Sequence, residues 1–445
     1  MKIKNILKYL VVASLAIQLT ACTETEVEQK FDATPTERLN ARKTELQQVL
    51  PTSEFGWKAV YFTDNKQLGG FTHLFKFTPD GKVDMASDFN TDTKIYTSDY
   101  GIQLGSTVSL VFTTKNRIHL LSDSNPAAAP TAALVGKGYL GDFQFLYYGQ
   151  ENGELIFKTN RNGQEVRFAK ATAQDWTDLP KNFLMIPNVI GRNVYGANRG
   201  LEIIDGTTKK TYDFNPFTTI TRFTNYTNAT EVNGLGIGYS PTGIVVSPAI
   251  TVGEQKLSNF VYNSTNGSFT ATGTNGVSAS IKYSDTPFVI SDDYKNFAPG
   301  QPQKVVGYIA PNLTAAQSNS VLCRTLLDKI NAGLPATQSI ARVQVIFNNA
   351  VNGTYIQYLF NGGKATITHF VTTKVNDTNK TIVLTDAGWT HNAATIAILK
   401  DIDAQLTNPD GLYIKKEAFT IVASNKIYTL ANASNNGFRI TAYQL

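Results

Sequence analysis

The sequence is poor in cysteine. Its 445 residues include only two, Cys22 and Cys323, too few for the disulfide framework of a small secreted domain. A chain of this length is long enough for two to four domains, each with its own hydrophobic core, so it needs no disulfide for stability. Cys323 lies in the apolar, helix-like segment 320–327, and we interpret it as a packed core residue rather than a nucleophile.

Histidine and the common catalytic motifs are also scarce. No Gly-x-Ser-x-Gly elbow occurs, so an esterase of that type is unsupported. The absence of His-Glu-x-x-His disfavours a zinc hydrolase, and the four histidines are scattered: His73, His119, His369 and His391. Paired carboxylates for glycoside hydrolysis stay open, because they need proximity in space and not in sequence. We therefore expect no cofactor and favour a protein without catalytic activity.

Charged residues make up only 17% of the chain, and the formal net charge is +5. The amino-terminal leader carries three lysines and no acidic residue. Its removal leaves 37 basic and 35 acidic residues, a net charge of +2. A chain this close to neutrality gives no electrostatic reason to expect nucleic acid as a partner. Abundant Thr, Asn and Gly instead favour β structure with many turns.

The leader predicts export. Lys2, Lys4 and Lys8 precede an apolar run over residues 9–19, which is typical of a secretory signal and too short to span a membrane. The following Leu19-Thr20-Ala21-Cys22 resembles the lipobox of bacterial lipoproteins. The resemblance implies a signal peptide over 1–21 and a mature chain that begins at an acylated Cys22, which anchors it to a membrane. An ordinary signal peptide that happens to contain a cysteine is the alternative. Acylation would leave Cys323 as the single thiol, which excludes an internal disulfide and a cysteine-based metal site.

An acidic tether follows the anchor. Residues 22–33 include Glu24, Glu26 and Glu28, a composition typical of a solvated linker. Acidic residues at this place also resemble the surface-export signal of Bacteroidetes lipoproteins. That resemblance implies an outer-membrane protein that faces the extracellular side.

The remaining chain predicts a mainly β protein with a few helices, an α+β fold. Residues 34–180 begin with a helix whose capping box is Thr34 with Glu37, and continue as an antiparallel meander marked by hairpin turns at Asn152-Gly153 and Asn162-Gly163. Residues 181–311 predict an all-β region, and residues 312–445 an α+β domain with helices over about 314–331 and 393–406. Successive hairpins indicate barrel-like or sandwich domains.

A family resemblance rests on Glu37-Arg38-Leu39, Gly56-Trp57-Lys58, Gly69-Gly70-Phe71 and the segment 75–89. Together with the lipobox, these resemble a group of Bacteroidetes outer-membrane lipoproteins built on a domain of unknown function. Members often accompany uptake systems of the starch-utilisation type, which pair a surface lipoprotein with a TonB-dependent porin. The resemblance implies a place near a nutrient importer and no reaction.

One spacing resembles a calcium loop. Asp88, Asn90 and Asp92 supply alternate oxygens, and Asp99 stands at the twelfth position. Thr93 occupies the place where the sharp turn requires glycine, and the terminal glutamate is missing. A polar hairpin end is the alternative interpretation, and it explains the same residues without a metal.

The clearest ligand candidate lies late in the chain. Asp386, Trp389, His391 and Asn392 place an indole among short polar groups, the chemistry that stacks on a sugar ring and binds its hydroxyls. The alternative is that Thr390 or Asn392 caps the next helix while Trp389 packs beneath it.

Three functions are compatible with the sequence. The first is a surface lipoprotein that binds a glycan, a peptide or a partner protein within an uptake system. The second is a secreted hydrolase whose residues converge only in three dimensions. The third is a fimbrial or adhesin subunit, which would need an exposed groove and a loose carboxy-terminal strand to exchange between copies.

Overall fold

A computed structural model describes residues 33–190, 197–215 and 220–445. The predicted signal peptide, Cys22 and the tether up to residue 32 lie outside the described residues. Within them the chain is mainly β with a few helices, as predicted, and its antiparallel strands form three closed eight-stranded barrels. None of the described helices combines the length and apolar character that a membrane span requires.

The first barrel follows a helix, α1 (Pro35–Val49), whose predicted capping box is present: the Glu37 N–H donates to Thr34 Oγ1, and the Thr34 N–H donates to Glu37. Each strand pairs with the next, and β8 closes on β1 through Trp57 opposite Lys170. The strands are β1 (Trp57–Phe62), β2 (Gly70–Phe77), β3 (Lys82–Ser87), β4 (Tyr96–Leu104), β5 (Val108–Phe112), β6 (Gln144–Glu151), β7 (Glu154–Thr159) and β8 (Glu165–Lys170).

Aromatic side chains fill the core of this first barrel. Alternate residues of each strand point inward, and an eight-stranded barrel is just wide enough for side chains to fill. The buried rings include Trp57, Tyr61, Phe75, Phe112, Phe145, Tyr147, Phe157 and Phe168. The predicted turn between β6 and β7 forms because Asn152 and Gly153 adopt positive φ angles, 52° and 82°.

The second barrel has the same meander order, with β16 closing on β9. Two helices, α2 (Ala173–Asp178) and α3 (Asn182–Ile190), connect it to the first. Its strands are β9 (Asn198–Asp205), β10 (Lys209–Phe214), β11 (Phe223–Thr227), β12 (Val232–Ser240), β13 (Gly243–Val252), β14 (Gln255–Asn263), β15 (Ser268–Thr272) and β16 (Val277–Ser284).

The sequence placed the start of the last domain at residue 312, but the third barrel begins earlier. Its first strand, β17 (Lys304–Ile309), pairs with both β18 and β24. Its strands are β17 (Lys304–Ile309), β18 (Ser339–Asn349), β19 (Gly353–Asn361), β20 (Ile367–Asn376), β21 (Thr381–Trp389), β22 (Leu412–Lys416), β23 (Ile427–Asn432) and β24 (Arg439–Gln444). The core of each of the three barrels is a separate cluster of buried apolar side chains.

Helices interrupt this third meander twice. Between β17 and β18 lie α4 (Ala310–Leu313) and α5 (Val321–Ala332); between β21 and β22 lie α6 (Ala393–Ile396) and α7 (Lys400–Leu406). The helix predicted from residue 314 starts only at Val321, because the Ser320 side chain caps it by accepting from the Cys323 N–H. Short 3-10 turns complete the described helices: Leu50–Thr52, Arg117–Ser122, Pro126–Ala128, Ala132–Leu134, Leu179–Lys181, Asp293–Phe297 and Ala397–Leu399.

Candidate functional site

A histidine between two carboxylates lies at one end of the third barrel. His369 is on β20, directly opposite Trp389 of β21, and the register shift that follows places Asp386 opposite Val371. The helix α7 contributes Asp403 from the other side. Two strands and one helix therefore bring together residues that are up to 34 positions apart in the sequence.

The contacts in this cluster are short. His369 Nδ1 lies 2.9 Å from Asp403 Oδ1, and His369 Nε2 lies 2.8 Å from Asp386 Oδ1. The Tyr358 hydroxyl also donates to Asp403 Oδ1, at 2.7 Å. Trp389 stacks on the imidazole with the ring centroids 4.0 Å apart. The His369 and Asp403 side chains are 2% and 8% exposed, whereas Asp386 is 68% exposed.

The charges of the cluster favour a protonated imidazole. Burial lowers the pKa of His369, but the carboxylates of Asp403 and Asp386 raise it by more, so the pKa lies above its ordinary value. The Gly388 N–H and then His369 lower the pKa of Asp386. Each ring nitrogen of His369 faces a carboxylate oxygen, and a protonated ring donates from both nitrogens. Neither nitrogen is then open to take a proton from a substrate, and the arrangement acts as a clasp between strand and helix.

Two residues of the predicted ligand patch, Asp386 and Trp389, are part of this clasp. Asn392 caps α6, as the alternative interpretation expected, because its side chain accepts from the Thr395 N–H at 3.0 Å. Trp389 packs on His369 and Asp386 accepts from the same imidazole, while His391 Nδ1 lies 2.9 Å from the Thr390 hydroxyl. The four proposed residues are therefore close together, and each of them makes a contact within the barrel end.

Local sequence patterns did not identify His369 and Asp403 as members of a site. The inward side chains of β20 alternate as Ile367, His369 and Val371, all buried, and this alternation is the signal that would have placed the histidine inside the barrel. Nothing in the sequence pairs it with a helix 34 residues later.

The residues of the calcium-like spacing do not converge. Asp88 is fully buried and pairs with Arg222 of the second barrel at 3.2 Å. Asp92 is exposed and pairs with Arg117 at 2.8 Å, while the Asn90 side chain accepts from the Asp92 N–H. The Asp88 and Asp92 carboxylates are held by different arginines, an arrangement that favours the alternative interpretation, a polar hairpin end without a metal. Within 33–190, 197–215 and 220–445, no group of three His, Cys, Asp or Glu residues could hold a metal ion.

The other candidate nucleophile and bases are packed inside the molecule. Burial lowers the pKa of His73 to about 4, so its ring is neutral, and its Nδ1 lies 3.2 Å from the Phe71 carbonyl. His119 Nδ1 accepts from the Asn116 N–H. Cys323 is fully buried, and burial raises the pKa of its thiol. The interpretation of Cys323 as a core residue is confirmed.

A cleft between the second and third barrels contains two carboxylates. Asp213 of β10 and Glu417, just after β22, are both among its lining residues. The Lys415 amine lies between them, in contact with Asp213 and 3.3 Å from Glu417 Oε2; Arg439 lies 2.7 Å from Glu417 Oε1. Burial raises the pKa of Asp213. Burial also raises that of Glu417, but Lys415 and Arg439 lower it by more.

This cleft is small. Its volume is about 50 Å³, against roughly 300–1,000 Å³ for pockets that enclose a drug-sized ligand. The remaining wall residues are largely polar or basic, and include Arg199, Arg324 and the segment 317–321. The cleft has room for one small polar group, and both of its carboxylates are already paired with Lys415.

Comparison with known proteins assigns the family. No curated protein matches the chain. The profile of a family described as a domain of unknown function, DUF4302, matches residues 27–264. This segment contains the whole first barrel and the second barrel as far as β14, and it is more than half of the chain. The chain therefore belongs to the DUF4302 family of domains of unknown function.

Proposed function

We propose that the protein is a lipid-anchored, non-catalytic binding protein of a bacterial outer membrane, and that it serves an importer of glycans or peptides. The observation that carries the proposal is Leu19-Thr20-Ala21-Cys22, placed directly after a basic and then apolar leader. Several acyl chains on one residue give a stable membrane anchor. The acidic residues that follow support exposure on the outer face.

The geometry of the described residues supports binding rather than catalysis. Both ring nitrogens of His369 lie within hydrogen-bond distance of carboxylates, and His73 is fully buried. Side chains fill the barrel cores, so a ligand would contact the outer surfaces, the barrel ends or the junctions between barrels. A surface with such junctions suits a protein that holds a ligand or a partner beside a transporter.

The family resemblance supports the biological setting. Membership in DUF4302 is consistent with the lipoprotein group that the sequence resembles, and that group implies a Bacteroidetes cell surface and a TonB-dependent porin as partner. We propose both as the setting of this chain.

The two alternatives have less support. A fimbrial subunit that exchanges its last strand would leave that strand loosely held, whereas β24 pairs with both β17 and β23 inside its own barrel. A hydrolase built on the carboxylates of Asp213 and Glu417 would need both to face a substrate, whereas Lys415 contacts both.

Co-purification tests the proposal. The tagged full-length protein would be expressed in its native host, and outer membranes would be solubilised and passed over the affinity resin. We expect a TonB-dependent porin to be recovered with the wild type. Cys22→Ala should be lost from the membrane fraction, whereas Cys323→Ala, which removes the other thiol, should stay there. Recovery of a polymer of the protein itself, without a porin, would favour the fimbrial alternative.

Localisation has its own test. External protease added to intact cells should digest the wild-type chain together with known surface proteins. A chain that stays uncut while those controls are digested would exclude the outer leaflet.

A further inference from the structure

The cleft between the second and third barrels has an unusual set of basic walls. Arg199 comes from β9, Arg324 from α5 and Arg439 from β24, and all three are among the lining residues. Two barrels and one helix thus direct guanidinium groups toward the same small space. Arginine is the side chain best suited to bind planar or tetrahedral oxyanions, because its donors form a fixed fork.

Two of these arginines lack a carboxylate partner. Arg439 pairs with Glu417, and Lys415 pairs with both Asp213 and Glu417. Within the described ranges, Arg199 and Arg324 have no carboxylate oxygen within the 4.0 Å that defines an ion pair. The two carboxylates of the cleft are already paired with two cations, so two positive charges remain without a counter-charge.

Arg199 is the more enclosed of the two. Its guanidinium donates to the carbonyls of Val189 and Asn215 and lies over the Phe214 ring, 4.9 Å from the centroid. Its Nε is buried and has no acceptor among the residues that the structure describes. A part-buried cation whose buried Nε has no acceptor is unfavourable unless an anion or a polar group completes its contacts.

The amino terminus of α5 adds positive potential to the same wall. Ser320 caps this 12-residue helix, and both Ser320 and the first helical residue, Val321, line the cleft. The helix dipole and the unpaired N–H groups of a first turn favour an anion there. Arg324 lies one turn into the helix, and its guanidinium donates to the Asn319 carbonyl at 2.5 Å, so its charge stays beside that terminus.

We propose that this cleft binds an oxyanion, a carboxylate or sulfate group, between Arg199, Arg324 and the amino terminus of α5. The volume of about 50 Å³ accommodates about three to five water-sized units at roughly 10–15 Å³ each, which fits one such group and not a whole sugar. The proposal deepens the proposed function, since it assigns to the ligand an acidic group that enters the cleft while its remainder stays outside.

Isothermal titration of the detergent-solubilised full-length protein tests the site. The probes are sodium sulfate, sodium glucuronate and, as an uncharged analogue, glucose, all at the same ionic strength set with sodium chloride. We expect sulfate and glucuronate to bind and glucose not to bind. Tighter binding of glucuronate than of sulfate would assign the anion to an acidic sugar, and tighter binding of sulfate would assign it to a free inorganic ion; both support an oxyanion site.

Charge-removing variants localise the binding. Arg324→Gln should weaken the binding of both anions by about tenfold or more, since it removes a charged hydrogen-bond donor. Lys329→Gln is the matched control, because it removes a charge from the exposed face of the same helix, where Lys329 pairs with Asp401. Arg199→Gln should have an effect at least as large if the variant folds, and Arg324→Gln decides the question if it does not.

The outcomes separate this proposal from the one on which it rests. Absence of anion binding, or an equal loss in Lys329→Gln and Arg324→Gln, would overturn the oxyanion site. If a porin is still recovered with the wild type in that case, the proposed function stands. Anion binding without any porin would support the site and contradict the role beside an importer.

Discussion

The junction between the first and second barrels depends on one arginine. Arg222 Nη1 lies 3.2 Å from the Asp88 carboxylate and donates to the Gly70 carbonyl at 2.9 Å, and Nη2 donates to the Asp88 carbonyl at 2.7 Å. The two charged side chains are 3% and 0% exposed. The guanidinium also lies over the rings of Phe71 and Tyr239, one from each barrel. We therefore expect Arg222→Met to weaken the junction more than the removal of any exposed ion pair would.

The magnitude follows from what the substitution leaves behind. Methionine keeps most of the aliphatic volume between the two rings, but the Asp88 carboxylate stays buried without its cation. Breaking a buried pair in this way costs about 3–5 kcal/mol. The Thr72 N–H and the Asn182 side-chain amide still donate to Asp88, each at 2.8 Å, so we expect the lower end, about 3 kcal/mol. The double variant Asp88→Asn/Arg222→Met should recover part of this loss, because it leaves no unpaired charge.

Native-state hydrogen exchange is the suitable assay, because three barrels need not unfold as one unit. The reporters are the Gly69 N–H, which donates to the Thr221 carbonyl at 2.6 Å, and the Ile237 N–H, which donates to the Arg222 carbonyl at 2.8 Å. Their opening free energies should fall by about 3 kcal/mol in Arg222→Met, while amides of the third barrel stay unchanged.

An exposed arginine supplies the control. Arg167 of the first barrel is 39% exposed and pairs with three glutamates, so Arg167→Met should lower the same opening free energies by less than about 1 kcal/mol. Two results would refute the reasoning. One is a fall in opening free energy in Arg222→Met no larger than that in Arg167→Met, and the other is a double variant Asp88→Asn/Arg222→Met with opening free energies as low as those of Arg222→Met.

Three further predictions address other parts of the molecule. In denaturant unfolding, Gly69→Ala should destabilise the first two barrels by about 1–3 kcal/mol, because the added Cβ would lie 2.2 Å from a backbone oxygen of the second barrel. Gly101→Ala is the control and should be near neutral, because its Cβ would have no neighbour closer than 3.9 Å. Asp386→Asn should lower the pKa of His369 in an NMR titration. Because that pKa is raised in the folded state, the free energy of unfolding of the wild type should fall as pH rises through it. An unchanged His369 pKa in the variant, or an unchanged dependence of its stability on pH, would contradict the clasp. Cys323 should react with a thiol reagent only after unfolding, since burial raises its pKa; reaction in the folded protein would contradict its core position.

The strands were more predictable than their closure into barrels. Inward alternation and turns such as Asn152-Gly153 are local signals, and they predicted the hairpins and the mainly β class. Closure of the first barrel pairs Trp57 with Lys170, residues far apart in the sequence, and no local pattern specifies which strands meet at that distance. The choice between barrel and sandwich was therefore left open by the sequence.

The sites depended on contacts between distant residues, and this is why the sequence identified them incompletely. The spacing of Asp88 and Asp92 resembled a calcium loop, but spacing does not show that Arg222, 134 positions later, takes the first carboxylate. Trp389 was identified by its polar neighbours, whereas the partner that holds it, His369, lies on another strand. Helix caps are local contacts. Asn392 and Ser320 each accept a hydrogen bond from a backbone N–H three residues later, so a local sequence pattern can predict them.

Mass spectrometry of the amino-terminal peptide from the membrane-extracted protein tests the central claim most directly. The account predicts a mature chain that begins at Cys22 and carries acyl chains on that residue. A mature amino terminus at any other position, or an unmodified Cys22, would contradict the anchor and with it the proposed role at the cell surface.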